Sequence, residues 1–327
     1  MIVRSDAQGM SRSHTLVAIG NFDGVHYGHQ AILANTALEA QSRNCVPVAL
    51  TFEPHPTLSV GRLPPACLTP IGRKIELIKR VNQTIQVIVL PFDSSLAAQT
   101  PEAFARSILV DRLRAAGVRV GVNFRFGSKR SGNIETLEAF GKKLGFEVVA
   151  APLLEDNHGR FSSTRARHAV AIGDLEEVTA ILSRPHSLSG TVVEGQQLAR
   201  TLGFPTANLH WVQEALPPNG VYCVAVDRLL DGEEANTEPA ERLRLGVCNI
   251  GSRPTANAGF AVEVHMFDFD GNLYGARLRL HLIHALRSEL KFASLGDLKT
   301  QIKADVQAAR IKLDGLSPSP SAGRAWF

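Results

Sequence analysis

The chain has little cysteine and no pairing pattern among what it has. Cys45, Cys67, Cys223 and Cys248 are scattered through 327 residues with no CxxC pair. That argues against a disulfide framework and a thiolate zinc site, and for a reducing compartment. No apolar run approaches the ~20 residues that span a bilayer. The polar opening MIVRSDAQGMSRSH lacks the apolar stretch of a secretory signal, so a cytoplasmic protein is expected. A dense Lys/Arg block is also missing. With 35 basic and 31 acidic side chains the formal net charge is only +4, which does not demand nucleic acid and suits anionic small molecules such as nucleotides. What remains, 44% hydrophobic and 20% charged residues, describes an ordinary globular protein, and the length favours two domains.

Two periodicities divide the chain. Up to about residue 185, apolar runs at 16–19, 46–52, 85–90, 118–122 and 148–151 alternate with helical patterns. The clearest helix opens with Thr100 as cap and Pro101 at its first position, and stops before Gly117. Near-continuous apolar strands separated by helices predict a parallel, Rossmann-like sheet covered on both faces, with ligands beyond the carboxyl ends of its strands. From Ser187 the period becomes two: Leu278, Leu280 and Leu282 alternate with Arg277, Arg279 and His281. Six such segments with Gly/Pro-rich turns predict a small antiparallel six-stranded β-barrel. The acidic stretch Leu230–Arg242 is expected to be an exposed loop. A C-terminal helix capped by Ser294 carries Leu295, Leu298, Ile302, Val306, Ala309 and Leu313 on one stripe. The expected domains are 1–185 and 186–313, and the Ser/Pro/Gly-rich residues 314–327 are expected to be disordered.

Chemistry concentrates first in Gly20-Asn21-Phe22-Asp23-Gly24-Val25-His26-Tyr27-Gly28-His29, between the first strand and a helix. Gly20 and Gly28 permit a tight turn and close approach to a ligand. His26 and His29, three residues apart at a helix start, can face one point. A helix N-terminus with two imidazoles suits a nucleotide phosphate that gains charge during reaction. The alternative is a junction whose histidines only cap the helix. Phe52-Glu53-Pro54-His55-Pro56 and Gly121-Val122-Asn123-Phe124-Arg125-Phe126-Gly127 lie at other strand ends. Asn123 and Arg125 there could place a ring system and a phosphate, or belong to a basic surface turn. Ser162-Ser163-Thr164-Arg165-Ala166-Arg167 offers hydroxyls and, in Arg167, a cation for phosphates, or a plain N-cap. Together these pieces predict nucleotidyl transfer, by alignment and positive charge without a covalent intermediate.

In the second half, Gly195 to Gly203 forms a polar loop containing Arg200 that could close over ATP phosphates. Thr206 and Asn208 supply oxygen ligands suited to Mg²⁺, or belong to an ordinary edge strand. Glu263 and His265 share one strand face opposite Val262, Val264 and Met266. Glu263 is either solvated or a base for an attacking hydroxyl. Asn249, Arg253, Pro254 and Thr255 form a turn that could bind or simply connect. Arg287, Glu289, Lys291 and Phe292 join the last strand to the terminal helix, as a binding segment or a surface ion-pair cluster.

The motifs GNFDGVHYGH, FEPHP, GVNFRFG, SSTRAR, LGFPTANL, GVCNIGSRPT, VEVHMFDFDGNLYG and LRSELKF, in this order, closely resemble those of the bacterial bifunctional riboflavin kinase/FAD synthetases, from about Leu16 to Leu313. The resemblance implies a first, nucleotidyltransferase domain that adenylylates FMN to FAD with ATP. There His26 and His29 would stabilise phosphate charge, with Gly20, Phe22, Asp23, Gly28, Ser163, Thr164 and Arg167 holding ATP phosphates and Asn123 and Arg125 placing flavin or nucleotide. It implies a second domain that phosphorylates riboflavin to FMN. There Thr206 and Asn208 would organise Mg²⁺ and ATP, and Glu263 would act as base. Gly195, Arg200, Gly203, Arg287, Glu289 and Phe292 would hold ATP and flavin. Other readings are an FMN adenylyltransferase with an impaired kinase barrel, a flavin-binding protein without catalysis, and, because HxGH turns occur in aminoacyl-tRNA synthetases, an enzyme acting on RNA. Three features depart from the family. The chain begins only shortly before the first motif, so an opening strand of the family is either absent or replaced by Met1–Ser13. Asn123 stands where many members have Asp. Ala199 replaces a glycine that usually precedes the arginine of the kinase loop, and would be strained if that position needs positive φ.

Overall fold

The computed structural model describes residues 14–58, 63–195, 198–230, 239–252 and 260–327. These form two compact units, 14–163 and 164–327.

The first unit runs β1 (Thr15–Ile19), α1 (Tyr27–Ser42), β2 (Val46–Glu53), α2 (Ile71–Val81), β3 (Gln86–Pro91), α3 (Ser94–Ala98), α4 (Pro101–Phe104), β4 (Ala115–Gly121), α5 (Ile134–Leu144), β5 (Glu147–Ala151) and the short pair β6 (Glu155–Asp156) and β7 (Gly159–Arg160). Thr100 caps α4 as expected, accepting from the Ala103 amide, and the helix continues in π-helical turns over Ala105–Arg112. The five long strands form a sheet in the order β3-β2-β1-β4-β5, parallel throughout. Alternation along β1 sends Val17 and Ile19 into a cluster with Leu109, Val118 and Leu137. Ala18 faces the other way, with Leu33, Ile75 and Ile78 of α1 and α2. The sheet is therefore covered on both faces, which is why its strands are apolar along their whole length. The chain passes from β1 outward to β3 and returns to β4 beside β1. That reversal opens a crevice where the turns after β1 and β4 emerge side by side.

The second unit begins with α6 (Ser163–Ile172), whose first residue lies at the boundary, and α7 (Leu175–Leu182). Then follow β8 (His186–Val193), α8 (Leu198–Thr201), β9 (Ala207–His210), β10 (Gly220–Leu229), β11 (Ala240–Ser252), β12 (Phe260–Met266), β13 (Arg277–Ser288) and α9 (Leu295–Lys312). The six long strands close into an antiparallel barrel in the order β10-β11-β12-β9-β8-β13. Leu188, Val224, Cys248, Val264 and Leu280, each fully buried, fill its interior. On the outside, α9 lays Val306, Ala309 and Leu313 against Val221, Cys223 and Val247. Ser294 caps α9 by accepting from the Asp297 amide.

Four expectations are corrected. The division falls at 163/164 rather than 185/186, because Leu175 of α7 packs into the barrel's own cluster. Leu295 is 56% exposed and stands off the α9 stripe, one residue past the cap where the helix has not yet reached the barrel. Part of the expected 230–242 loop is strand: Ala240–Arg242 opens β11, while 231–238 lie outside the described residues. Finally, residues 314–327 lie folded against the barrel. The Trp326 amide donates to Asp227 Oδ1 at 3.0 Å, and the other oxygen of that carboxylate holds His281 Nε2 at 2.7 Å. The Arg242 amide donates to the Arg324 carbonyl at 2.8 Å, and its guanidinium stands over the Trp326 ring. Ala322 and Ala325 pack on Leu229 and Ala240. Composition alone suggested disorder, but two terminal aromatics and a buried carboxylate supply anchors that composition does not weigh.

Truncating Trp326 to Ala is expected to lower the stability of the barrel unit by about 2–4 kcal/mol. Urea unfolding followed by circular dichroism measures this as an earlier midpoint. An unmoved midpoint would mean that the segment adds nothing to the barrel's stability.

Candidate active sites

The first site is built by the turn after β1. Phe22 and Val25 both take positive φ, 48° and 41°, a conformation costly for a β-branched residue and held only by surrounding contacts. Asp23 provides them. Its buried carboxylate accepts from the amides of Leu68 and Thr69 and from Thr69 Oγ1, at 3.0–3.2 Å. Gly24 N donates to the same Thr69 hydroxyl at 2.9 Å. Ser163 Oγ donates to the Asp23 carbonyl at 2.8 Å. Three distant segments thus meet at one residue. Asp23, expected among the phosphate ligands, braces this junction.

His26 caps α1, its Nδ1 accepting the His29 amide at 3.4 Å. The two imidazoles stack with centroids 3.6 Å apart, and Phe22 stands edge-on to His29 at 5.2 Å. Gly28 leaves room for the His26 ring, since a Cβ there would lie 3.3 Å from it; one on Gly20 would lie 3.1 Å from Phe22. His29 Nδ1 is buried with no hydrogen-bond partner among the described residues. Burial first, then the nearby His26 and Lys74, hold the His29 pKa well below the ordinary imidazole value.

Beyond β4, Asn123 and Arg125 are exposed while Phe126 is buried against Phe104. His55 Nε2 lies 3.4 Å from Asn21 Nδ2, so the 52–56 loop joins the same turn. On α6, Thr164 is exposed and Arg167 half-buried. Lys74, on the first turns of α2, is 6% exposed.

The second site lies outside the barrel, not within it. In register, Asn208 of β9 stands opposite Glu263 of β12, and Glu263 opposite Asn249 of β11. Directly opposed residues share a face, and alternation places this trio away from the interior of Val262, Val264 and Met266. They line a cavity of about 310 Å³ together with Thr206, His265, Arg287 and Phe292. The Asn208 amide lies against Gly195, where a Cβ would fall 2.3 Å from Nδ2. Gly203 takes φ +93°. Ala199 lies in the regular turn of α8, without positive φ, so the strain considered for it does not arise. Arg200 on the same turn is exposed. Gln196, Gln197, Arg253, Pro254 and Thr255 lie outside the described residues.

Arg287 does not pair with Glu289. It makes a bidentate bond to the buried Asp305 of α9, at 2.7–3.1 Å, and its guanidinium stands 5.9 Å from the Phe292 ring centroid. Glu289 instead accepts from Asn219 Nδ2 at 3.0 Å. His265 Nδ1 donates to the Pro205 carbonyl at 2.9 Å, fixing the entry to β9 next to Thr206. The parts played by His265 and Asp305 depend on cross-strand and helix–barrel contacts that no local motif announces. Asn249 had a signal in its turn, but only strand register aligns it with Glu263.

The described residues contain no group of three His, Cys, Asp or Glu side chains able to hold a metal. Thr206 and Asn208 offer neutral oxygens, a donor set that fits Mg²⁺ only when phosphate oxygens and water complete its shell. No helix among the described residues is long and apolar enough to cross a membrane.

Comparisons with known proteins agree with this two-part layout. Residues 9–165 match the FAD synthetase family and residues 182–313 the riboflavin kinase family. A Haemophilus influenzae protein described as bifunctional riboflavin kinase/FMN adenylyltransferase is 39% identical over 302 residues, 90% of this chain and 92% of the relative. Relatives of the same description from Pseudomonas fluorescens and Escherichia coli K12 are 40% and 37% identical, each over 90% of this chain and 92% and 91% of their own lengths. A solved structure titled macrolide-efflux protein, from Streptococcus pneumoniae, superposes with a TM-score of 0.77 at 28% identity, covering 92% of this chain and 95% of that one.

The His29 ring is expected to stay neutral at pH 6.5, where an ordinary imidazole is half protonated. Because the unfolded chain binds that proton first, the site should lose stability as pH falls below 6.5 toward the depressed folded value. Ring-nitrogen NMR shifts, assigned with a His29→Gln variant, measure the titration; a His29 midpoint at or above 6.5 contradicts it.

Proposed function

Because the chain belongs to the bifunctional riboflavin kinase/FMN adenylyltransferase family, we propose that its two reactions run at the two sites described above, with the barrel making FMN and the parallel-sheet unit making FAD. The observation that carries this assignment is the presence of two separate constellations, a stacked histidine pair at a helix start and a carboxylate lining a cavity outside the barrel. A reducing cytoplasm suits the four free cysteines.

In the first reaction a phosphate oxygen of FMN attacks the α-phosphorus of ATP. One P–O bond forms, the bond to the β-phosphate oxygen breaks, and pyrophosphate leaves. His26, His29 and the amides opening α1 stabilise the charge that gathers on the phosphates. A neutral His29 serves as hydrogen-bond donor. Ser163 holds phosphate, and Asn123 with Arg125 places flavin or nucleotide. An amide at 123 supplies no carboxylate charge for a metal. Gly20, Phe22, Asp23 and Gly28 shape and brace the turn.

In the second reaction Glu263 accepts the proton of the ribityl 5′-hydroxyl while that oxygen attacks the γ-phosphorus of ATP and ADP leaves. Thr206 and Asn208 would hold Mg²⁺, which when bound neutralises phosphate charge. Gly195, Arg200 and Gly203 form the phosphate loop. Arg287, Glu289 and Phe292 border the flavin end, with Arg287 held in place by Asp305.

With riboflavin, ATP and Mg²⁺ as inputs and chromatography of flavins as readout, His29→Ala is expected to stop FAD formation and leave FMN formation intact. Glu263→Gln should stop FMN formation while added FMN is still converted to FAD. Loss of both products from one substitution in folded protein would refute separate sites. Gly195→Ala, by displacing the Asn208 amide, is expected to slow FMN formation about a hundredfold; a rate within twofold of the parent would show that Asn208 need not sit there.

A further inference from the structure

Proline cannot donate to a strand ladder, and one stands immediately before the Thr206–Asn208 segment of the second site. Pro205 precedes Thr206, and β9 begins only at Ala207. Its pairing with β12 runs Leu209–Val262, Asn208–Glu263 and Ala207–Val264, and stops there. Thr206 lies one residue beyond the ladder that sets Asn208, next to a residue unable to extend it by an N–H. Holding Thr206 in line with Glu263 calls for a different bond.

His265 makes that bond. It lies two residues past Glu263 on the same outer face of β12, and continuing the register by one step puts it opposite Thr206. Its Nδ1 reaches the Pro205 carbonyl at 2.9 Å. A carbonyl oxygen only accepts, so Nδ1 carries the proton and the neutral ring keeps its lone pair on Nε2. The ring also meets Phe204 edge-on, with centroids 5.5 Å apart and planes at 83°. One side chain of β12 thus holds two consecutive residues ahead of Thr206. Upstream, the Phe204 amide donates to the Ala199 carbonyl at 2.9 Å, and the Gly203 amide to that of Arg200 at 3.1 Å. The end of the 198–203 turn is thereby tied to the strand that carries Glu263. Phe204, Thr206, Asn208, Glu263 and His265 all line the same cavity.

We propose that His265 is a positioning residue for the kinase reaction. Through its Nδ1 bond and its contact with Phe204, it keeps Thr206 beside Asn208 and Glu263 for the binding of Mg-ATP. The proposal rests on the reading of the barrel as the riboflavin kinase. Proton transfer stays with Glu263, and His265 acts through Thr206.

Two variants separate the donor from the ring. His265→Asn keeps an N–H donor close to the place of Nδ1 and removes the ring, whereas His265→Phe keeps a ring and removes the donor. Full-length proteins are assayed for FMN formation from riboflavin at varied Mg-ATP, with FAD formation from added FMN as the check on folding. His265→Phe is expected to raise KM for Mg-ATP about tenfold, the effect of one lost hydrogen bond, while kcat changes less than about twofold. His265→Asn is expected to bring KM back to within about threefold of the parent. A readout independent of turnover is the ring-nitrogen NMR spectrum of the ligand-free protein in alkaline buffer, with the His265 signals assigned by their loss in His265→Asn. The proton is expected on Nδ1. A proton on Nε2 overturns the proposal, and this test stands on the parent protein even where a variant fails to fold. So does a KM within about twofold of the parent in His265→Phe, or an equal rise in both variants, which would show that the donor is not what matters. A loss confined to kcat overturns it too, because it would place His265 in the chemical step. Absence of FMN formation by the parent protein would instead refute the reading of the second site.

Discussion

The first site depends on one carboxylate. Asp23 accepts from the amides of Leu68 and Thr69, and its own carbonyl receives the Ser163 hydroxyl. Sequence separations of 45 and 140 residues close on this single position. It sits between Phe22 and Val25, the two residues of the turn at positive φ, just ahead of the histidines. A carboxylate accepting several backbone N–H bonds is a strong and directional anchor. It suits a junction between loops, where no sheet ladder fixes the backbone.

The second site rests on register instead. The barrel's interior is filled by Val224, Cys248, Val264 and Leu280, and the cavity lies on its outer face. Period-two alternation then decides the site's composition: every residue opposite Glu263 in register is also an outer residue, which is how Asn208 and Asn249 come to flank it. Helix α9 makes that face concave and contributes Asp305, which orients Arg287. Strand register sets Asn208, Glu263 and Asn249 side by side on that face.

Much of this was legible along the chain. Apolar runs located all five parallel strands because both sheet faces are covered, and Leu278, Leu280 and Leu282 announced a barrel wall because one face is not. The Gly20–His29 turn was readable because glycine and histidine spacing is local. Other features were hidden because they are not local. Asp23 reads as a ligand in the sequence, and its bonds to residues 68 and 69 show only in the fold. Residues 314–327 looked disordered, since Ser, Pro and Gly say nothing of Asp227 waiting on β10 for the Trp326 amide. Lys74 sat in an amphipathic helix where a lysine ordinarily means solvent, and its burial follows from the docking of α2, not from its neighbours in sequence.

Polar burial differs between the C-terminal segment and the β1 turn. Around the Asp227–His281 pair, burial is nearly complete and a terminal segment covers it. At the β1 turn the bracing carboxylate Asp23 is engaged several times over, whereas His29 Nδ1 is left open. Folding free energy alone would favour closing that group with an internal partner, because an unmet buried donor or acceptor costs more than a single hydrogen bond returns. That the chain braces Asp23 so fully and still leaves His29 Nδ1 without an internal partner sets that atom apart from the cohesion of the turn.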